Sequence, residues 1–458
     1  MPYRSSLFGR TFAFKDVKEV LAKANERKSG DVLAGLAADS DLERVAAKDA
    51  LSQMTLDVLR QNPVIPYEDD EVTRIGEDLL DEGAYGEIKA WTVAGLREWI
   101  LGADTDGEDL RRVSGGLTAE MVAAVAKLMS NLDLAYAASK MEVTARCNTT
   151  IGARGTLASR LQPNHTTDST EGIRASLLEG LSYGCGDALL GLNPVNDTAA
   201  SLSETLKLLD DVKNRLEIPT QICALGHIST QMEAVRRGAP TDIIFQSIAG
   251  SEKGNRAFGF NADTVREAQS LLQGLKRGAG PNLLYFETGQ GSELSSGSHS
   301  GADQVTMEAR CYAFARAFKP FMVNTVVGFI GPEYLFDSSQ VIRAGLEDHF
   351  MGKLSGLPMG CDCCYTNHMM ADQNDVENLS LLLAAAHVNY IIGVPGGDDI
   401  MLNYQTNSYH DSAALREILR LRPLREFELW LEEWGILRDG RLSGRAGDPS
   451  IFIERLGG

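Results

Sequence analysis

Short apolar runs alternate with amphipathic segments along most of the chain after residue 150. The amphipathic segments carry apolar residues at helical spacing, as Leu202, Leu206 and Leu209 do, and therefore predict helices. Runs that are apolar throughout predict strands buried on both faces, which is typical of a parallel sheet covered by helices. Eight runs have this character: 156–161, 188–192, 221–225, 243–248, 283–286, 322–327, 357–361 and 390–394.

Eight strand–helix units predict an α/β fold, a (β/α)8 TIM barrel over residues 151–425. This length is close to the roughly 250 residues that such a barrel usually needs. An open, doubly wound sheet is the alternative, but it favours a glycine fingerprint after its first strand. The first turn here is Gln162-Pro163-Asn164, which is no such fingerprint. We therefore expect the closed barrel.

The segments that flank the barrel have a different character. Residues 1–150 are predicted to form a mainly helical N-terminal region. Within it, Ser40-Asp-Leu-Glu43 has the form of a capping box, which opens a helix toward Met54, and segments 92–101 and 118–140 show helical spacing. Residues 426–458, which include Trp430 and Trp434, are predicted to form a C-terminal helix and an extension packed outside the barrel.

The net charge and the number of cysteines indicate which binding partners and which cellular compartment to expect for this chain. Lys and Arg total 44 against 63 Asp and Glu, a formal net charge of −19. A surface this acidic repels phosphate backbones and anionic lipids, so nucleic acid and membranes are not expected as partners. No apolar run approaches the roughly 20 residues of a membrane span, and residues 1–12 do not resemble a signal peptide. The seven cysteines are therefore expected to be reduced thiols in a cytoplasmic protein.

Polar side chains lie at the end of nearly every predicted strand, which is where barrel enzymes carry their chemistry. Because the carboxyl ends of all eight strands meet at one mouth, we expect these side chains to converge there. Two carboxylates in such a pocket can hold a cation, while a guanidinium and several amides can hold a hydroxyl or an oxyanion. A small amino alcohol fits this combination. The set comprises Arg160, Gln162, Asn193, His227, Gln246, Ser247, Glu287, Asn324, Phe329, Asp362, Met401 and Asn403.

These residues are less suited to a hydrolytic metal centre, a cofactor-free lyase or aldolase, or a non-catalytic scaffold. A hydrolytic metal centre lacks its usual histidine motifs, and Cys361, Cys363 and Cys364 lack the spacing of a zinc knuckle, so no metal is predicted. A cofactor-free lyase or aldolase is one alternative, which would use either the carboxylate pair or a desolvated lysine, and Lys253 lies in a glycine-flanked loop. A non-catalytic scaffold subunit is the other alternative, although a scaffold has no reason to keep the polar set. A difficult rearrangement in this pocket would need a cofactor.

The same segments resemble the large, catalytic subunit of ethanolamine ammonia-lyase along nearly the whole chain. The most specific stretches are long runs that resemble that family's sequences and follow one another in the same order as in the family. They are RLQPN at 160–164, FQSIAGSEKG at 245–254, YFETGQGS at 285–292, GADQVTMEAR at 301–310, NTVVGFIGPEY at 324–334, GCDCCYTNH at 360–368 and GDDIMLNYQ at 397–405.

This resemblance implies an adenosylcobalamin-dependent radical lyase that converts ethanolamine to acetaldehyde and ammonia, through hydrogen abstraction by a 5′-deoxyadenosyl radical. It implies that Glu287, Asp362 and Gln162 hold the ammonium group and that Arg160 and Asn193 hold the hydroxyl group. It also implies that seven residues contact the cofactor: Pro194, Gln246, Ser247, Ser295, Phe329, Met401 and Leu402.

The resemblance further implies a separate small subunit that caps the corrin ring. Large subunits are expected to associate with one another within a higher hetero-oligomer, which in such enzymes is often enclosed in a bacterial microcompartment. The cofactor is expected to bind base-on, with its own dimethylbenzimidazole on cobalt. The sequence Glu347-Asp-His349-Phe-Met-Gly352 imitates a cobalt-binding histidine motif, but it begins with Glu instead of Asp and lies in a predicted barrel helix, 338–354.

Overall fold

The structure is a computed structural model that describes residues 3–456. A sheet of eight parallel strands forms the centre of the molecule. Each strand lies within two residues of one of the eight predicted apolar runs, so the predicted α/β barrel is confirmed. The strands are Ala158–Leu161, Leu189–Leu192, Ile222–Ala224, Ile244–Ser247, Leu284–Thr288, Met322–Val327, Met359–Cys363 and Tyr390–Gly393.

The seventh strand begins two residues later than the apolar run predicts, at Met359. The reason is Pro358, which has no N–H to donate and contributes only its carbonyl, an acceptor for the N–H of Val323 at 3.1 Å. The strand then continues through Asp362, which pairs with Val326 on the sixth strand. Asp362 is therefore held within the sheet and not on a loop beyond it.

The sheet closes around a seam between its third and fourth strands. All the remaining pairs of neighbouring strands are joined by hydrogen-bonded ladders. The eighth strand is joined to the first in this way, and Tyr390 pairs with Ala158. At the seam, the buried side chain of Gln231 donates to the carbonyls of Gly226 (2.6 Å) and Phe245 (2.7 Å) and accepts the N–H of Phe245 (2.9 Å). This amide side chain thus supplies three of the hydrogen bonds across the seam, and Asp242 adds two at its start, donating its N–H to the carbonyl of Ile222 (3.2 Å) and accepting the N–H of Ile222 on its carboxylate (3.0 Å).

Helices cover the outer face of the sheet, one after each strand, and bury their apolar faces against it. Leu202, Leu206 and Leu209 are buried as their spacing predicts. The eight helices are Thr170–Ser182, Ala199–Arg215, Ile228–Arg236, Ala262–Leu275, Gln304–Arg316, Ser338–Leu354, Gln373–Ala385 and Tyr409–Leu419. Shorter elements lie in the loops after the strands: helices Glu252–Ala257 and Ser292–Ser295, a 3-10 turn Pro395–Gly397, and a two-strand ladder of Asp398–Asp399 with Tyr404–Gln405.

Within the described residues, ten α-helices and one 3-10 turn, Tyr67–Asp69, precede the barrel, after an antiparallel hairpin of Tyr3–Leu7 and Arg10–Phe14. Ser40 caps the third helix by accepting the N–H of Glu43 at 3.2 Å, but the Glu43 carboxylate bonds to the N–H of Asp39, so the predicted capping box is only half formed. The segment 118–140 divides into two helices because Ser130 begins a second capping box. The helices are Val17–Ala24, Ser29–Leu33, Asp41–Ser52, Leu56–Gln61, Glu71–Asp78, Glu82–Ile88, Val93–Leu101, Gly107–Ser114, Ala119–Lys127 and Asn131–Lys140.

Buried ion pairs attach these helices to the outside of the barrel. Lys127 bonds to Asp303 at 2.8 Å and Lys28 bonds to Glu347 at 2.8 Å, all four side chains being at most 1% exposed. Because a buried charge is tolerated only when it is paired, these contacts fix where the early helices sit. They hold the two barrel helices that follow the fifth and sixth strands.

Smaller elements complete the two ends of the barrel segment. A hairpin of Ala145–Arg146 and Thr150–Ile151 precedes the first strand. After the last barrel helix come the helix Arg425–Glu433, a hairpin of Leu437–Arg438 and Arg441–Leu442, a 3-10 turn Pro449–Phe452 and the helix Ile453–Leu456. Among residues 3–456, none of the helices has the length and apolar character needed to cross a membrane. The division of the chain at residues 150 and 425 stays a prediction.

Candidate active site

The five predicted substrate-binding residues lie together at the carboxyl ends of the strands. Arg160, Glu287 and Asp362 belong to the first, fifth and seventh strands, while Gln162 and Asn193 directly follow the first and second. Since neighbouring parallel strands point the same way, these positions face one mouth. Arg160, Gln162 and Asp362 are buried, and Glu287 keeps 13% of its side chain exposed, so a ligand can reach it from the cleft.

Arg160 is at the centre of the first half of the site. One terminal nitrogen donates to Glu287 at 2.8 Å and to the hydroxyl of Tyr285 at 2.7 Å, and the other donates to Asn193 at 3.1 Å. The Tyr285 hydroxyl also donates to Glu287. Glu287 and Arg160 therefore form an internal ion pair whose charges a cationic, hydroxylated ligand could share.

Asp362 defines the other half of the site. It accepts hydrogen bonds from the hydroxyl of Tyr404 at 2.8 Å and from the hydroxyl of Thr406. Burial raises the pKa of the Asp362 carboxyl to about 7; hydrogen bonds from Thr406 and Tyr404 and the charge of Arg160 oppose the rise, and Glu287 adds to it. A bound cation would compensate the charge that burial destabilises.

A continuous chain of hydrogen bonds connects these halves. Gln162 donates to the hydroxyl of Tyr404 at 2.9 Å and to Asp399 at 2.7 Å. Asn164 donates to Asp399 at 2.8 Å and accepts the backbone N–H of Asn193 at 2.8 Å. All five predicted residues thus belong to one network, in the order Glu287, Arg160, Asn193, Asn164, Asp399, Gln162, Tyr404 and Asp362.

A cleft of about 460 Å³ opens above Glu287. Three of the predicted cofactor contacts, Gln246, Ser247 and Phe329, line the same cleft. The Gln246 side chain is held by the backbone, since it accepts the N–H of Ile228 at 3.0 Å and donates to the carbonyl of Ser247 at 2.8 Å. Phe329 is 38% exposed and its ring lies 5.3 Å from that of Tyr404.

The comparisons with known proteins agree on one family. A family model described as ethanolamine ammonia lyase large subunit (EutB) matches residues 12–445. The chain belongs to this family. Curated ethanolamine ammonia-lyase large subunits from Escherichia coli (strain K12) and Salmonella typhimurium (strain LT2) are 59% and 58% identical to it, over 99% of this chain and 100% of each relative. The resemblance found in the sequence is therefore confirmed, and the family is one of lyases.

The remaining predicted cofactor contacts of this ethanolamine ammonia-lyase family member lie outside that cleft. Pro194 is buried directly after Asn193. Met401 and Leu402 are half-buried in the turn after the eighth strand. Ser295 ends a short helix and donates to the carbonyl of Ser292 at 2.8 Å, and it is Ser292 that lines the cleft.

The mouth fits the large, flat cofactor that the ethanolamine ammonia-lyase family implies. Large apolar side chains are exposed on the loops after four different strands: Val195, Phe329, Phe336, Met370 and Ile400. Such a rim suits the broad apolar edge of a corrin ring. The buried floor instead carries polar atoms without a partner, the side-chain oxygen of Asn324 and Nε of Arg160. These suit a small polar substrate beneath the cofactor.

Several members of the network are missing from the sequence prediction. They are Asn164, Tyr285, Asp399, Tyr404 and Thr406. Tyr285 lies two residues before Glu287 on one strand, so the alternation of side chains places both on the same face, which is a signal that sequence reasoning could have used. Asn164, Asp399 and Tyr404 lie in the family-like stretches 160–164 and 397–405, but nothing in those stretches shows what each side chain contacts.

The residue on which a Schiff-base mechanism would depend is poorly placed. Lys253 is exposed to solvent and its ammonium donates to the carbonyl of Gly297 at 2.8 Å. A lysine that forms a Schiff base is normally desolvated, so that its pKa falls and the amine becomes nucleophilic. The alternative of a cofactor-free lyase therefore gains no support from this position.

Proposed function

We propose that this chain is the catalytic large subunit of an adenosylcobalamin-dependent ethanolamine ammonia-lyase, which converts ethanolamine to acetaldehyde and ammonia. One observation carries the proposal: a single hydrogen-bonded network joins two carboxylates to a guanidinium at the mouth of the barrel. This arrangement matches a substrate with a cation at one end and a hydroxyl group at the other. The names of the close relatives specify the same substrate.

The ammonium end of the substrate is assigned to Glu287, Asp362 and Gln162. The two carboxylates provide charge-assisted acceptors, which are roughly twice as strong as neutral ones. Glu287 already accepts hydrogen bonds from Arg160 and Tyr285, so its orientation is fixed before the substrate arrives. Binding energy is then not lost in ordering this side chain.

The hydroxyl end is assigned to Arg160 and Asn193, which bond to each other at 3.1 Å. A guanidinium stabilises negative charge as it grows on the substrate oxygen during the reaction. Because Arg160 is buried, little water competes for that oxygen, and its attraction to the guanidinium is stronger than it would be in solvent. The roles of both residues are thus to bind, orient and stabilise the substrate.

The cofactor is assigned to the upper part of the mouth. Adenosylcobalamin, which we expect to bind base-on, would supply radical hydrogen-transfer chemistry there through its 5′-deoxyadenosyl group. The chain would hold it with Pro194, Gln246, Ser247, Ser295, Phe329, Met401 and Leu402. Two observations support this assignment: Gln246 and Phe329 both line the cleft, and backbone hydrogen bonds hold the Gln246 side chain in place.

A small subunit is proposed to cover the face of the cofactor that this chain leaves open. The exposed apolar rim of the mouth supports a covering partner, because such side chains lie in contact with solvent in the isolated chain. We further propose that large subunits associate with one another in a higher hetero-oligomer. The complex would work in the cytoplasm, within a bacterial microcompartment where the cell forms one.

Electron paramagnetic resonance tests the radical mechanism directly. Mixing the complete holoenzyme with ethanolamine is expected to give a low-spin cobalt(II) signal coupled to an organic radical, and the holoenzyme without substrate is the control. Rapid turnover without a cobalt(II) signal, or without deuterium exchange into the nucleoside, would overturn the radical mechanism and leave a polar one.

A further inference from the structure

Asp399 lies between the substrate pocket and the turn that carries two of the proposed cofactor contacts. Its carboxylate is only 2% exposed. One oxygen accepts hydrogen bonds from the side chains of Gln162 at 2.7 Å and Asn164 at 2.8 Å. The other oxygen accepts the backbone N–H groups of Met401 at 3.1 Å and Leu402 at 2.9 Å. A single buried carboxylate therefore contacts both the substrate pocket and the turn that carries Met401 and Leu402.

We propose that Asp399 is a positioning residue that couples substrate binding at Gln162 to the placement of the 401–402 turn against the cofactor. The inference rests on the proposed function and adds to it a residue that acts through its neighbours. It also gives a physical route by which the two ligands sense each other across the barrel mouth.

The chemistry of a carboxylate suits this role in a way that no other side chain does. Its two oxygens accept up to about four hydrogen bonds, and Asp399 uses two on each side. These four N–H donors stabilise the negative charge in place of a cation. An asparagine has only one accepting oxygen, so Asp399→Asn can satisfy either the substrate side or the turn, but not both.

The network explains how the substrate would affect Asp399. Gln162 divides its donor group between Asp399 and the hydroxyl of Tyr404, and Tyr404 in turn donates to Asp362. An ammonium held by Asp362 and by the Gln162 side chain fixes the orientation of that amide. The bond from Gln162 to Asp399 is then held in place, and the turn on the other side of the carboxylate is held with it. Such coupling is reciprocal, so either ligand should tighten the binding of the other.

The affinity of an unreactive cobalamin measures this coupling without depending on turnover. Hydroxocobalamin is titrated by absorption spectroscopy into the complete enzyme, small subunit included, with and without ethanolamine. In the wild type, ethanolamine is expected to lower the Kd by about fivefold or more, and in Asp399→Asn by less than about twofold. Asp398→Asn is the matched control, because it makes the same chemical change at the exposed neighbouring residue and should keep the wild-type factor.

Two results would overturn the proposal: coupling of wild-type size in a folded Asp399→Asn enzyme, or no coupling in the wild type. Circular dichroism checks the fold. If Asp399→Asn does not fold, Asn164→Ala keeps the carboxylate and removes one of its donors; it should reduce the coupling factor to under half, and an unchanged factor overturns the proposal. Ethanolamine turnover by the same wild-type preparation separates the two claims, since its absence contradicts the proposed function whereas turnover without an effect of Asp399 contradicts only this inference.

Discussion

Arg160 and Glu287 form a buried ion pair at the floor of the cleft, 2.8 Å apart. Removing water from two charges is costly, and loss of one partner leaves the other without compensation. A pair of this kind at the end of barrel strands is therefore sensitive to any change of charge. Its members can be tested one at a time, because Glu287 alone is open to the cleft.

Glu287→Gln is expected to lower kcat/KM for ethanolamine by an amount equivalent to about 2–4 kcal/mol, because the shape is kept but the charge facing the ammonium is lost. Steady-state kinetics measure the change. Glu267→Gln removes an exposed carboxylate that pairs with Arg236 on an outer barrel helix, and should behave like the wild type. A wild-type kcat/KM for Glu287→Gln would place that residue outside the substrate's contacts.

Asp362 should give the enzyme an ascending pH limb. Burial raises the pKa of its carboxyl to about 7, so the group is protonated below that pH and ionised above it. If the ionised form holds the ammonium, kcat/KM rises as the pH rises through about 7. The pH profile of Asp362→Asn should lie lower and lack this limb; the same limb in the variant would assign it to another group.

The sequence predicts which charged residues lie at the mouth of the barrel, but it does not predict which residues they are hydrogen-bonded to. Arg160, Glu287 and Asp362 can be found because a charged side chain at the end of an apolar run is conspicuous. Asp399 cannot be found this way, since it lies in a loop beside the equally acidic Asp398, and only the fold shows that one is buried and the other exposed. Contacts between residues far apart in the chain need the closed barrel.

The barrel strands can be predicted because each is buried on both faces and therefore apolar throughout. Their order along the sheet follows from the closed topology, but the seam between the third and fourth strands does not. There no ladder forms, and the strands are joined in part by the side chain of Gln231, which looks in the sequence like an ordinary helical glutamine. The two helices of segment 118–140 are a similar case, since the apolar spacing continues through the capping residue Ser130.

Replacing Gln231 is expected to weaken the seam. Gln231→Met keeps the length of the side chain but leaves an N–H and two carbonyls without partners in a buried place, which should cost about 2–4 kcal/mol in the free energy of unfolding. Urea unfolding measures the loss. Gln273→Met, on the exposed face of the helix Ala262–Leu275, is the matched control. Equal stability of the two variants would show that the seam does not depend on this amide.

The helix Ser338–Leu354 contains the imitation of a cobalt-binding motif, and its structure argues against that use. His349 is buried, and its Nε2 contacts the carbonyl of Ala386 at 3.1 Å, beside the next barrel helix. Burial, with Lys353 adding to the effect, lowers the pKa of His349 to about 3, so the ring is neutral. It lies in the outer layer, as the sequence predicts.

Base-on binding can be tested by nitrogen splitting in the cobalt(II) spectrum. The splitting should change when the dimethylbenzimidazole carries ¹⁵N and should stay the same in enzyme with ¹⁵N-labelled histidine. The reason is that a histidine held in the outer helical layer cannot reach a cofactor at the barrel mouth. The opposite pattern would make His349 the leading candidate for the lower ligand.

Buried ion pairs hold the N-terminal region against two of the barrel's outer helices. The cleft at the mouth of the barrel is open to solvent. The proposed contacts reach one side of a large cofactor, and the rest of the contact area must come from elsewhere. The small subunit is therefore expected to be essential for activity.

Ethanolamine turnover in the presence of adenosylcobalamin tests the central claim most directly. Acetaldehyde and ammonia are measured for this chain with the small subunit, for this chain alone, and for the complex that carries Glu287→Gln. The complex should form both products in equal amounts, the chain alone should be inert, and the variant complex should be strongly impaired. Full turnover by the isolated chain would contradict the shared site, and an inactive complex with bound cofactor would contradict the proposed function itself.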